Sequence, residues 1–266
     1  MELFLVIEKE RIISPKIQKK YFYSQKPLIE NIMHQHHHEE KHLESSDFIT
    51  DIVIGMSDGL TVPFALAAGL SGAVQNNTIV ITAGIAEIVA GSIAMGLGGY
   101  LAGRTELEHY ESELKREYDE VERIPEKEKA EVKEVFANYG LSEHSQNIIA
   151  DELAKDKNHW VNFMMKFELG LEAPDPNRAR NSAMTIGISY IVGGLIPLTA
   201  YFFTPTPHQG LIVSALLTTL CLFVFGYFKS KVTGQPPIQG AIKVTLIGLA
   251  AAAAAFFVAK IFAQMF

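Results

Sequence analysis

Glu117 and Glu120 stand three residues apart in the stretch LKREYDEVER, and Glu128 and Glu131 repeat that spacing in PEKEKAEVKE. On a helix, positions i and i+3 share a face, so each pair would present two carboxylates side by side. Further on, FMMKFE offers Met164, Met165 and Glu168 on one turn. Carboxylate oxygens by themselves suit Mg2+, Ca2+ or Mn2+, and added thioether sulfur moves the preference toward softer first-row ions. The mixture fits Fe2+, with Mn2+, Co2+ or Zn2+ as further passengers. The competing reading is a solvated charged face, because several acids here have a base at i+4: Glu111 with Lys115, Asp119 with Arg123, Asp151 with Lys155. Both methionines could equally be core filler.

A second group of acids is stranded in apolar sequence. DIVIGMSDGLTVPFALAAGLSGA (51–73) has the composition of a membrane-spanning helix yet carries Asp51 and Asp58. A carboxylate near the bilayer centre costs roughly 2.5–3.5 kcal/mol on insertion scales, so such a residue is a functional candidate by default. The next apolar run, AGIAEIVAGSIAMGLGGYLA (83–102), carries Glu87 and Met95. Eight residues apart, they fall on the same broad side of a helix, about 12 Å along its axis. No Lys or Arg occurs in these two runs, which favours a cation or a proton as the partner of the acids. The alternative is a buried polar contact that fixes helix packing.

These side chains need elements to hold them. Apolar runs occupy about 49–74, 78–103, 182–203, 210–228 and 238–263, each long enough to cross about 30 Å of hydrocarbon as a helix. The expectation is an all-α integral membrane protein with five transmembrane helices. A helical domain, 104–177, lies between helices two and three. Around it are a mobile tail (1–46), helices one and two (47–103) and helices three to five (178–266). The second span should run unbroken into RTELEHYESELKREYDEVER (104–123), followed by helices over 124–140, 142–156 and 159–172. Pro125 in a first turn, Gly140 as a stop and Ser142 as a cap set those limits. Gly55 with Gly59, and Ala94 with Gly98, have the four-residue spacing that lets helix backbones approach closely in lipid. Pro63 should free backbone carbonyls just beyond Asp58.

Charge gives sidedness. Residues 104–180 hold 12 Lys/Arg against 19 Asp/Glu, so the whole net charge of −7 resides there. Such an acidic domain repels nucleic acid and attracts cations. Lys and Arg crowd the tail, the 104–180 block and the loop after the fourth span, whereas VQNNT and TPTPHQ have none. The positive-inside rule then places tail, domain and the 229–237 loop in the cytosol, and the C-terminus opposite. Cys221, the one cysteine, excludes an intrachain disulfide. The first residues are too short an apolar run for a signal peptide. In the tail, His38, Glu39 and His42 match H-E-x-x-H, but without apolar periodicity or a third ligand, so a solvated or loosely metal-scavenging stretch is the expectation. Glu106 and His109 form one Glu-x-x-His, where a di-iron centre needs two copies plus two more glutamates.

The runs 51–73 and 83–102, together with FMMKFELGLEAPDP (163–176), resemble the vacuolar iron transporter family from about residue 47 to the C-terminus. The resemblance implies five-span homodimers with a cytosolic metal-binding domain, moving Fe2+ out of the cytosol in exchange for H+, with no enzymatic activity and no prosthetic group. It places translocation residues at Asp58, Glu87 and Met95, with Asp51 near the cytosolic entrance. Metal-domain ligands fall on Glu117, Glu120, Glu128, Glu131, Met164, Met165 and Glu168. It implies a vacuolar or other endomembrane location. The competing functions are a metal-sensing membrane receptor or scaffold through which nothing passes, and a ferroxidase.

Overall fold

An apolar helix that meets a polar sequence with no glycine or proline beyond the junction continues, and the second apolar run does so. The computed structural model describes residues 47–265; the tail and its His38, Glu39 and His42 lie outside them. The helices are α1 (Asp47–Ser71), α2 (Asn77–Arg123), α3 (Pro125–Asn138), α4 (Glu143–Leu153), α5 (Lys157–Phe163), α6 (Arg178–Phe202), α7 (Pro207–Val232) and α8 (Pro237–Met265). No strand occurs among the described residues. Five helices, α1, α2, α6, α7 and α8, are long and apolar enough to cross a membrane. The 47 residues of α2 span about 70 Å, more than twice a hydrocarbon core. Its apolar part ends near Gly103 and its polar part projects beyond. Asn76 caps the start by accepting from the Thr78 N–H at 2.8 Å. Pro125 stops α2 and opens α3.

α6 packs between α1 and α2, and glycine makes the approach possible. A Cβ on Gly193 would stand 2.9 Å from the Leu60 nitrogen, and one on Gly103 would stand 2.7 Å from the Ala179 Cα. Gly55 and Gly59 do serve close packing, but against the Ile186 and Tyr190 carbonyls of α6 within the same chain. The close approach that their spacing predicts is therefore made inside one chain. Gly98 has nothing within 4 Å of an added Cβ, and Ala94 is exposed. At the far end of α1, the Tyr201 hydroxyl pairs with Ser71 at 2.9 Å. The Asn77 amide donates to the carbonyls of Tyr201 and Thr204, tying that end shut.

The polar half of α2 joins α3, α4 and α5 around Val121, Val132, Ala150, Trp160, Val161, Met164 and Met165. Gly140, at φ +79°, ends the α3 turn as its left-handed conformation requires. The expected single helix over 159–172 is different. After Phe163 the backbone widens into a π turn over Met164–Glu168, with the Leu169 N–H bonded to the Met164 carbonyl at 3.0 Å, and it stops at Gly170. Consecutive side chains on an ordinary helix diverge by about 100°; here both Met164 and Met165 enter the core, 0% and 2% exposed. Asp151 pairs with Lys129 of α3 at 2.8 Å, not with Lys155, which bonds Glu152.

Candidate functional site

The carboxylate cluster is built at the junction of α2 and α3. Glu117 lies one turn before Val121, and Glu128 one turn before Val132. Both valines face the core, so the acids are drawn inward on the same faces. Glu117 is 1% exposed and Glu128 0%. One carboxylate oxygen from each of Glu117, Glu120 and Glu128 falls within 4.8 Å of the others. Glu131 and the exposed Glu168 share a surface hollow with Glu134 and Tyr139, and both act electrostatically on Glu117. Both oxygens of Glu128 and Oε2 of Glu117 are buried and accept no hydrogen bond among the described residues. Leaving such acceptors unmet is costly; a hard divalent cation coordinated by them would meet the need.

Electrostatics agrees. Burial, then the neighbouring carboxylates Glu168, Glu120 and Glu131, push Glu117 up to about 7, with Arg116 acting in the opposite sense. Burial, then Glu131, Glu117 and Glu120, push Glu128 up to about 7. Glu168, although its side chain reaches the surface, is raised by partial loss of water first and by Glu131 next. Three or more acids converge where one proton or one dication relieves their repulsion. Met164 and Met165 sit in the hydrophobic core beside this cluster. Glu106 and His109 do not join it: both are exposed, and His109 lies 4.0 Å from Glu113.

The sequence reading overlooked Arg116. Its guanidinium lies 2.8 Å from Glu113, 3.7 Å from Glu117 and 3.6 Å from Glu120. Half exposed, it is a weak ion-pair partner but stands where a dication would feel it. Arg116→Gln is expected to tighten Mn2+ or Co2+ binding to the full chain by on the order of ten-fold, read by calorimetry. Unchanged affinity would remove Arg116 from the site.

In the apolar helices, Asp58 is half-buried and makes no hydrogen bond or ion pair among the described residues. Tyr190 of α6 donates its hydroxyl to Glu87 Oε1, while Glu87 Oε2 is buried with no hydrogen-bond partner among the described residues. Gly91, one turn after Glu87, faces the same Tyr190 ring. Met95 is one further turn on, half-buried, so Glu87 and Met95 share the face expected of them. Gly59, next to Asp58, packs on the Tyr190 backbone, which brings Asp58 and Glu87 to the same tyrosine. Asp51 is placed differently from the other acids: it is buried against Arg178 at 2.7 Å. Tyr190 and Arg178 went unread as site residues. A tyrosine and an arginine more than a hundred residues from their acids leave no local pattern.

The sequence model of the VIT family matches residues 49–260. The chain is similar to Vacuolar iron transporter 1 of Tulipa gesneriana, 52% identical over 234 residues that cover 88% of this chain and 94% of that protein. It is also similar to Vacuolar iron transporter 1 of Arabidopsis thaliana, 51% identical over 225 residues covering 85% and 90%. A fungal relative, Protein CCC1 of Saccharomyces cerevisiae, is 40% identical over 223 residues covering 79% and 68%. Coverage this broad, spanning both the apolar helices and the helical domain, makes the chain a member of the VIT family, that of the vacuolar iron transporters.

Proposed function

We propose that this chain is a proton-coupled antiporter that exports Fe2+ from the cytosol into an acidic, vacuole-like compartment. Mn2+ and other first-row dications are further substrates. The observation that carries the reading is the pair Asp58 and Glu87, held within apolar helices with no basic partner among the described residues. A carboxylate oxygen cannot hold a proton and a dication at once, so the two ions compete for it. Metal arriving from the cytosolic side displaces protons, and protons arriving from the acidic side displace metal. Asp58, Glu87 and Met95 form the transfer site, with Asp51 at its cytosolic end. The cluster of Glu117, Glu120, Glu128, Glu131 and Glu168, with Met164 and Met165 behind it, collects the ion.

The Lys/Arg distribution supports a cytosolic N-terminus and helical domain. The protein works as a homodimer in this reading. Ala86, Ala90, Ala94 and Gly98 recur every fourth residue along an exposed face of α2, a surface on which a second copy could lie closely. Proteoliposomes loaded at acidic pH and given external Fe2+ are expected to accumulate it, and to stop when a protonophore collapses the gradient. Binding without accumulation would favour the receptor or scaffold reading. Accumulation indifferent to the gradient would remove the antiport.

A further inference from the structure

Of Asp51, Asp58 and Glu87, only Asp51 has a cation against it among the described residues. Arg178 donates through Nη1 to its Oδ2 at 2.7 Å and through Nη2 to its Oδ1 at 3.4 Å. The same guanidinium reaches Asp47 through Nε at 3.1 Å. Asp51 is 3% exposed, whereas Asp47 is solvent-facing, so the buried partner is Asp51. Two parallel contacts on one carboxylate fix orientation as well as charge. An ion approaching Asp51 would therefore have to evict a guanidinium that cannot lose its proton.

The pair also has a geometric consequence. Arg178 is the first residue of α6, directly after the linker that leaves the helical domain. Asp51 precedes Asp58 by seven residues on α1, two turns along the same face. Tyr190, which holds Glu87, lies on α6 beyond Arg178. Gly55 and Gly59 press α1 onto the Ile186 and Tyr190 backbone between these points. The ion pair is thus the end clamp of the contact that brings Asp58 and Glu87 to one tyrosine.

We propose that Arg178 is a positioning residue for transport: its guanidinium, and not the transported ion, is the cation that Asp51 binds, and the pair fixes α1 against α6. This rests on the transport reading above and changes the role of Asp51 within it from ligand to anchor.

The test compares full-length wild type, Asp51→Asn, Arg178→Gln and the double variant Asp51→Asn with Arg178→Gln. Fe2+ uptake in proteoliposomes gives KM and maximal rate, and thermal unfolding gives Tm. Arg178→Gln leaves the buried Asp51 carboxylate without its partner, and Asp51→Asn leaves Arg178 only the solvent-facing Asp47; each is expected to lower maximal rate by about ten-fold, with KM within about two-fold of wild type. The double variant leaves two neutral amides and is expected to recover most of the rate, with a Tm loss smaller than the sum of the single losses. A raised KM in Asp51→Asn that the double variant does not relieve would make Asp51 an ion ligand and overturn the inference. Additive Tm losses, or wild-type transport by Asp51→Asn, would overturn it as well. Absence of uptake by wild type would sink both readings together; any of the other failures beside an active wild type sinks this one alone.

Discussion

Asp58→Asn is expected to reduce Fe2+ uptake by about a hundred-fold or more, with the protein still folded and inserted. The amide is nearly the same size as the carboxylate, so packing beside Gly59 and Tyr190 survives. What goes is the negative charge, and in a half-buried site that charge is what compensates a dication stripped of its water; removing one partner of such a pairing costs several kcal/mol. The remaining carboxylate, Glu87, has one oxygen committed to Tyr190 and cannot replace it. Glu87→Gln provides the comparison. Its amide oxygen still accepts from Tyr190, so helix packing is kept while charge is lost, and uptake is expected to fall as well. If either variant moves Fe2+ at the wild-type rate with the wild-type response to a pH gradient, the shared metal–proton site is not where we place it.

The helices were largely legible from composition. Five apolar runs became five helices long enough to span, and Pro125, Gly140 and Ser142 marked the limits of α3 and the start of α4 as the local chemistry dictates. Long-range partnership was not legible. The spacing of Gly55 and Gly59 announced a close approach but not to what, and the answer was α6 of the same chain. Asp51 looked like the other intramembrane acids because Arg178 is separated from it by the entire helical domain. The carboxylate cluster was readable because i, i+3 spacing is local. The π turn was not, since nothing in FMMKFE distinguishes a widened turn from a regular one until Met164 and Met165 must both reach the same core.

Metal binding by the helical domain is expected to be steeply pH-dependent on the acid side of neutrality and flat above it. Glu117 and Glu128 both stand at about 7 against an ordinary value of 4.5, burial being the first cause. A cation coordinated by both must displace their protons below that point. Affinity therefore falls as pH drops below 7, steepening toward about a hundred-fold per pH unit when two protons leave. The stability of the metal-free domain follows the opposite course. Between 4.5 and 7 the folded state binds protons that the unfolded state has released, so stability decreases as pH rises through that window and levels off above it. Trp160, the only tryptophan of the chain, is buried in the same core as Met164, and its fluorescence reports unfolding of this domain. Melting curves should move to lower temperature from pH 5 to pH 7.5 without metal, and saturating Mn2+ should offset the shift at the higher pH, since binding to the folded state alone stabilises it. Glu128→Gln should remove part of the pH dependence of both measurements, because a neutral amide neither titrates nor repels Glu117. Metal affinity that stays level from pH 8 to pH 5.5 would mean that Glu117 and Glu128 are not the coordinating pair, whatever their proximity.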